Sequence, residues 1–147
     1  MPKCTDVMTP DPVSCEASDP IRSVGRTMKE HDVGAVPVVD SRATKRLVGI
    51  VTDRDVVVNV VAEDRPLDKA MVSDAMTSNP AACRADDDVE QALALMAERQ
   101  VRRMPVVDAS GRLAGIIAQA DIATRVNRDK RTGELVEAIS EPGAVRK

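Results

Sequence analysis

Two kinds of apolar spacing alternate along this chain, and they do so twice in the same order. In the first half Ile21, Val24 and Met28 recur at helical spacing, 36–39 and 47–51 are short apolar runs bounded by polar turns, and 54–62 is again apolar-rich. The second half runs alike: Val89, Leu93 and Met96 at helical spacing, short runs at 104–107 and 113–117, then a closing segment at 120–127. These spacings predict helix, strand, strand, helix. A shorter stretch ahead of each, 13–15 and 81–83, predicts a first strand, so each half is a βαββα unit. Asp19 is expected to cap the first helix with Pro20 at its first position, and Asp86, Asp87 and Asp88 stand at the positive end of the second. The closing segment of the first half holds Val56, Val57, Val58, Val60 and Val61. Its composition alone favours strand; its place in the repeat predicts helix.

The repetition extends to residue identity. A shift of 68 positions pairs Asp6-Val7-Met8-Thr9 with Asp74-Ala75-Met76-Thr77, and Pro12, Cys15, Asp19, Met28, Glu30 and Val33 with their matches at Pro80, Cys83, Asp87, Met96, Glu98 and Val101. It also superimposes Pro37-Val38-Val39-Asp40 on Pro105-Val106-Val107-Asp108. A shift of 66 then aligns Leu47, Gly49, Ile50 and Asp55 with Leu113, Gly115, Ile116 and Asp121. The slip falls in the polar segment 41–46, two residues longer than 109–112, a length change that an exposed hairpin turn tolerates. The domains predicted are therefore 1–65 and 66–128, followed by a tail over 129–147. In that tail Leu135, Val136 and Ile139 suit a short helix over 132–140.

Composition narrows the function. Apolar residues make up 43% and charged residues 31% of the 147, the balance of a soluble globular protein. The net charge of −3 argues against nucleic acid and anionic membrane as partners, and the absence of Phe, Tyr and Trp removes stacking platforms for single strands. No apolar run reaches signal-peptide or membrane-span length, and Cys4, Cys15 and Cys83 are an odd count without metal-finger spacing. The expected location is the cytoplasm. Cys15 and Cys83 are expected to be small buried residues, and His31 to be a helix-end residue near the negative dipole. No nucleophile–base pair and no glycine-rich phosphate motif is present, so no enzyme activity is expected.

The βαββα unit carrying Val36-Pro37-Val38-Val39-Asp40 and Gly49-Ile50-Val51-Thr52-Asp53-Arg54-Asp55 resembles the CBS domain, and its duplication over residues 5 to 128 resembles a stand-alone Bateman module. The resemblance implies an α/β (α+β) fold of two repeats related by a pseudo-twofold axis and packed through their sheets. It further implies a homodimer, a regulatory role, and clefts between the repeats that bind AMP, ADP, ATP or S-adenosylmethionine. A homodimer is also expected because a lone module would leave the Ile21/Val24/Met28 and Val89/Leu93/Met96 faces incompletely covered.

The chemistry centres on the passage from strand to helix at 49–55. Such a turn offers backbone N–H groups and a dipole end to a phosphate, Thr52 adds a hydroxyl, and the Asp55 carboxylate suits both hydroxyls of a ribose. The alternative is that Thr52 is an N-cap and Asp55 a solvated first-turn acid. In the second copy Asp121 keeps the acid, while Ala118 replaces Thr52. The resemblance implies that Arg102 and Arg103 reach a phosphate in the partner repeat's cleft; the matching Gly34 and Ala35 carry no charge. It thus implies one complete site of Thr52, Asp55, Arg102 and Arg103, and a weaker one at Asp121. Val13, Val36 and Pro37 supply either apolar walls for a base or plain strand core. Three functions follow: an adenine-nucleotide sensor acting on an unidentified protein partner, a ligand-free dimeric scaffold, and, more distantly, thiol-based sensing through Cys4, Cys15 or Cys83.

Overall fold

The apolar spacings become helices and strands close to where the pattern puts them. In the computed structural model, which describes residues 2–126, the first elements are α1 (Cys4–Val7), β1 (Thr9–Pro10), β2 (Cys15–Glu16), α2 (Ile21–His31), β3 (Ala35–Val39) and β4 (Leu47–Thr52). Next come α3 (Asp53–Val56), which runs on as π-helix through Val57–Val61, then α4 (Val72–Ala75) and β5 (Thr77–Ser78). The second copy supplies β6 (Cys83–Arg84), α5 (Val89–Arg99), β7 (Arg103–Val107), β8 (Leu113–Ala118) and α6 (Gln119–Val126). Asn127 and the tail with its expected helix lie outside the described residues. Among the described residues no helix is long and apolar enough to cross a membrane.

The fold is mixed α and β, with two four-stranded sheets ordered β2-β3-β4-β5 and β1-β8-β7-β6. In each, the strand before the long helix pairs parallel with the strand after it, and the other pairings are antiparallel. The first strands lie later than the sequence places them, at 15–16 and 83–84. The edge strands β1 and β5 and the short helices α1 and α4 have no counterpart in the βαββα reading. They make the compact units differ from the repeats. Residues 12–80 form one unit, and 2–11 with 81–126 the other, whereas the sequence predicts a boundary at 65/66.

Within the unit of residues 12–80, α2 packs Ile21 and Val24 with Val36, Val38, Val51, Val60 and Val72. In the other, α5 packs Val89, Leu93 and Met96 with Met104, Val106, Ile117 and Ile122. Each such side chain contributes about 1.5–3 kcal/mol on burial. The helix faces expected to need a second subunit are thus covered by their own unit: Ile21, Val24, Val89, Leu93 and Met96 are buried, and Met28 is half-buried against the core.

Helix starts are also set differently from the expectation. Pro20, not Asp19, is the N-cap of α2. The Asp19 carboxylate instead accepts from the Glu16 amide at 2.9 Å, and Asp87 does the same for Arg84 at 2.8 Å. The first amides of the two long helices donate to backbone: Ile21 to the Ala70 carbonyl at 2.9 Å and Val89 to the Pro2 carbonyl at 3.0 Å. At the other end of each strand pair, Asp40 accepts from the amides of Ser41 and Arg46, and Asp108 from those of Ser110 and Arg112. Those bonds clamp turns of different length, which is how the two-residue slip is absorbed.

The Asp-x-Met-Thr motif has a structural explanation. Asp6 accepts from the Lys3 amide and Asp74 from the Met71 amide, both at 2.9 Å, starting the short helices. Thr9 and Thr77 then pair opposite Ile116 and Ile50. Met8 and Met76 lie over Gly115 and Gly49, where a Cβ would come within 2.5 Å and 3.0 Å of the methionine sulfurs and 2.8 Å and 2.9 Å of the Thr9 and Thr77 carbonyls. The backbone carbonyls cannot swing aside as a thioether can. Gly115→Ala and Gly49→Ala are each expected to lower unfolding free energy by about 1–3 kcal/mol, Gly115→Ala by more, as urea denaturation would measure.

Candidate functional site

The turn from β4 into α3 is held by a reciprocal pair of hydrogen bonds. Thr52 has extended backbone, φ −111 and ψ 163, and is the N-cap. Its hydroxyl accepts from the Asp55 amide at 3.0 Å while Asp55 Oδ2 accepts from the Thr52 amide at 3.0 Å, a capping box with Asp in the third position. Both residues are half-buried. The box fixes the direction of the Asp55 carboxylate. An ionised carboxylate has about four acceptor positions, and the Thr52 amide uses one, so Asp55 retains the capacity to take two hydroxyls.

The amides expected to cradle a phosphate are already engaged. Asp53 donates to the Gly34 carbonyl at 3.0 Å, Arg54 to the Asp53 carboxylate at 2.8 Å, and Asp55 to Thr52. This corrects the reading of the turn as an open backbone anion site. A short polar residue at each of 52, 53 and 55 ties up the helix start from within, so positive charge for an anion must come from side chains.

The sequence reading missed Asp53, and it took Gly34 only as the uncharged match of Arg102. A Cβ on Gly34 would sit 3.1 Å from Asp53 Oδ2, so the small residue at 34 lets the acid lie against the strand. In the second copy the same positions hold Arg102 and Gln119, and the Gln119 amide donates to the Arg102 carbonyl at 2.9 Å. The backbone geometry is thus kept while the side chains change together. That paired change was the available signal: aligned copies differ at both positions at once.

The remaining candidates fall as follows. Ala35 pairs in register with Thr52, and Arg103 with Ala118. Arg102 and Arg103 are exposed at the start of β7, beside the second copy's own strand-to-helix turn. Asp121 is half-buried in the first turn of α6, where Ala118 has no hydroxyl to complete a capping box. Val36 is part of the hydrophobic core, Pro37 is buried on the opposite face of β3, and Val13 is half-buried just ahead of β2. The structure therefore joins Thr52 and Asp55 by direct bonds, and assigns Arg102, Arg103 and Asp121 to the other unit.

Thr52→Ala is expected to cost about 1 kcal/mol of stability in the unliganded protein and Thr52→Ser a few tenths at most. Equal losses in the two variants by chemical denaturation would show that the hydroxyl cap contributes nothing.

The CBS domain family model matches this chain twice, over residues 4–70 and 72–128. The Bacillus subtilis protein YlbB is 38% identical over 141 residues, spanning 96% of this chain and 93% of its own. The crystal structure of Hypoxic Response Protein I with two coordinated zinc ions, a protein known from Mycobacterium tuberculosis, is similar at a TM-score of 0.78 and 30% identity, over 85% of this chain and 99% of that one. The crystal structure of CBSX2 in complex with AMP, a protein of Arabidopsis thaliana, is similar at a TM-score of 0.74 and 31% identity, over 88% and 98% of the two chains.

Proposed function

This chain belongs to the CBS domain family, with two copies of the domain in tandem, and on that premise we propose that it is a regulatory, non-catalytic module that binds an adenosyl compound. The ligand class is AMP, ADP, ATP or S-adenosylmethionine, and the site is the Thr52–Asp55 turn. The observation that carries the reading is the Asp55 carboxylate, oriented by the Thr52 amide with acceptor capacity left for a ribose diol. The likeness to CBSX2, solved with AMP, supports the same class.

Because the amides of 53–55 are engaged, phosphate recognition is assigned to side chains. These are the Thr52 hydroxyl as donor, Arg54 of the same turn, and Arg102 and Arg103, whose contribution is a proposal from the family resemblance. Asp121, with Ala118 beside it, is assigned the weaker site. A ligand-free scaffold is the competing reading, favoured by those same engaged amides.

Calorimetry with AMP, ADP, ATP, S-adenosylmethionine and adenosine separates the two. Asp55→Asn keeps an acceptor for the Thr52 amide but removes the charge; a charged hydrogen bond is worth about 1.5–3 kcal/mol, so affinity should fall about tenfold or more. Asp121→Ala should matter much less. Arg102→Ala and Arg103→Ala should weaken AMP while leaving adenosine nearly unaffected. Absence of binding by every compound at millimolar concentration would establish the scaffold reading instead.

The proposed assembly is a cytoplasmic homodimer, and the surface that supports it differs from the one the sequence suggested. Val57, Val58 and Val61 are 56%, 42% and 54% exposed on the π-helical continuation of α3, with Leu67 and Met71 also exposed. Exposed apolar side chains clustered in sequence are what a subunit contact would cover. Light scattering should give twice the 15.8 kDa of one chain, and Val57→Lys with Val61→Lys should shift the protein toward monomer. A wild-type mass of one chain at micromolar concentration would refute the dimer.

A further inference from the structure

The three cysteines do not occupy equivalent surroundings. Cys15 and Cys83 match in the repeat and are placed alike: each is buried in its unit's core, with its sulfur directed at the carbonyl of Pro37 or Pro105, at 3.8 Å and 4.0 Å. Their neighbours differ. The residue that packs from the short helix is Val72 in one unit and Cys4 in the other. Backbone bonds from Cys4 to the Asp87 carbonyl at 2.9 Å and from Thr5 to the Ala85 carbonyl at 3.0 Å lay α1 along the chain just after Cys83. Cys4 and Cys83 lie in the same buried cluster, where the Cys4 thiol donates to the Asp88 carbonyl at 4.0 Å.

We propose that Cys4 and Cys83 are a dithiol that closes to a disulfide within the unit when the protein meets a two-electron oxidant such as hydrogen peroxide. The Cys4 sulfur attacks one peroxide oxygen, the O–O bond breaks and hydroxide leaves, taking a proton to become water. The Cys83 sulfur then attacks the resulting sulfenic sulfur, the S–O bond breaks, and the thiol proton departs with the second water. Two thiols are oxidised, one peroxide is reduced, and two waters form.

The order of attack follows from the surroundings. The neighbouring Cys83 side chain favours the Cys4 thiolate and holds its pKa below the ordinary thiol value against burial and the charges of Asp87 and Asp88. Cys83 is pushed up, first by the neighbouring Cys4 side chain and then by burial. Cys15 has no second thiol, and burial followed by the charge of Asp19 pushes it up to about 12. Access requires α1 to lift. That helix is four residues long and is fastened by buried Cys4 and Val7, by backbone bonds and by the half-exposed Lys3–Asp88 ion pair at 2.7 Å, so oxidation is expected to be limited by the rate of its opening.

The test exposes the full chain to hydrogen peroxide, blocks remaining thiols with iodoacetamide under denaturing conditions, and maps the peptides by mass spectrometry. The expected product has one alkylated cysteine, Cys15, and a linked peptide pair containing Cys4 and Cys83. Its thermal midpoint rises on oxidation and returns on reduction. Cys15→Ser should retain the response, and Cys4→Ser, which leaves Cys83 and the core in place, should abolish it. Three alkylatable thiols after oxidation, a link through Cys15, or a rise in midpoint that persists in Cys4→Ser would overturn the proposal.

Discussion

Each sheet is completed by the segment that leads the other copy, and most of the fold follows from that exchange. Residues 2–10 give the Pro2 carbonyl to the first amide of α5 and strand β1 to the edge of β8; residues 70–78 give the Ala70 carbonyl to α2 and β5 to the edge of β4. A helix start has four amides without partners in the helix, and a sheet edge has a row of them. The same short hook satisfies both. The glycines at 49 and 115 are the steric condition for it, because the hook's backbone and methionine sit where their side chains would be.

That condition explains which parts of the repeat stay alike. Asp19 and Asp87, Asp40 and Asp108, and Asp6 and Asp74 each accept backbone amides at turns, and the two copies keep them. The copies part company at the strand-to-helix turn, with Gly34, Thr52 and Asp53 facing Arg102, Ala118 and Gln119. The backbone there is held in both by the same carbonyl-to-amide bond, Asp53 to Gly34 and Gln119 to Arg102. That shared bond keeps the backbone path while the side chains at the turn diverge, the Thr52–Asp55 capping box being present in the first copy.

The sequence made the order of elements legible because burial imposes its own period: Ile21, Val24 and Val36 are apolar at the spacing that their elements bury. The repeat overrode propensity correctly at 54–62, where valines alone favour strand and the segment is helical. What escaped was contact that no local pattern encodes. Two-residue strands have too little length for alternation to show, and the Pro2 and Ala70 carbonyls that cap the long helices come from distant chain. The same limit explains Asp19, whose carboxylate serves a turn at Glu16 and not the helix after it. At the candidate site Thr52 and Asp55 were legible as types, but their mutual bonds exclude the open amides that the turn suggested. The Cys4–Cys83 contact was hidden for the same reason as the hook, since it joins residues far apart in the chain.

Asp55 stands at one end of a helix whose other end presents Val57, Val58 and Val61. Between them the chain passes from α- to π-helix, with Val60 alone of the five fully buried in the core. Such wide turns occur in short pieces, often near functional positions. A group that engages the Asp55 carboxylate competes with, or reinforces, the bond that starts this helix, so it acts on the same nine residues, 53–61, that carry the exposed valines. On the proposed reading, occupancy at the turn and coverage of the valines bear on one short element, and a coupling of that kind is reciprocal: each changes the other by the same factor, in either direction.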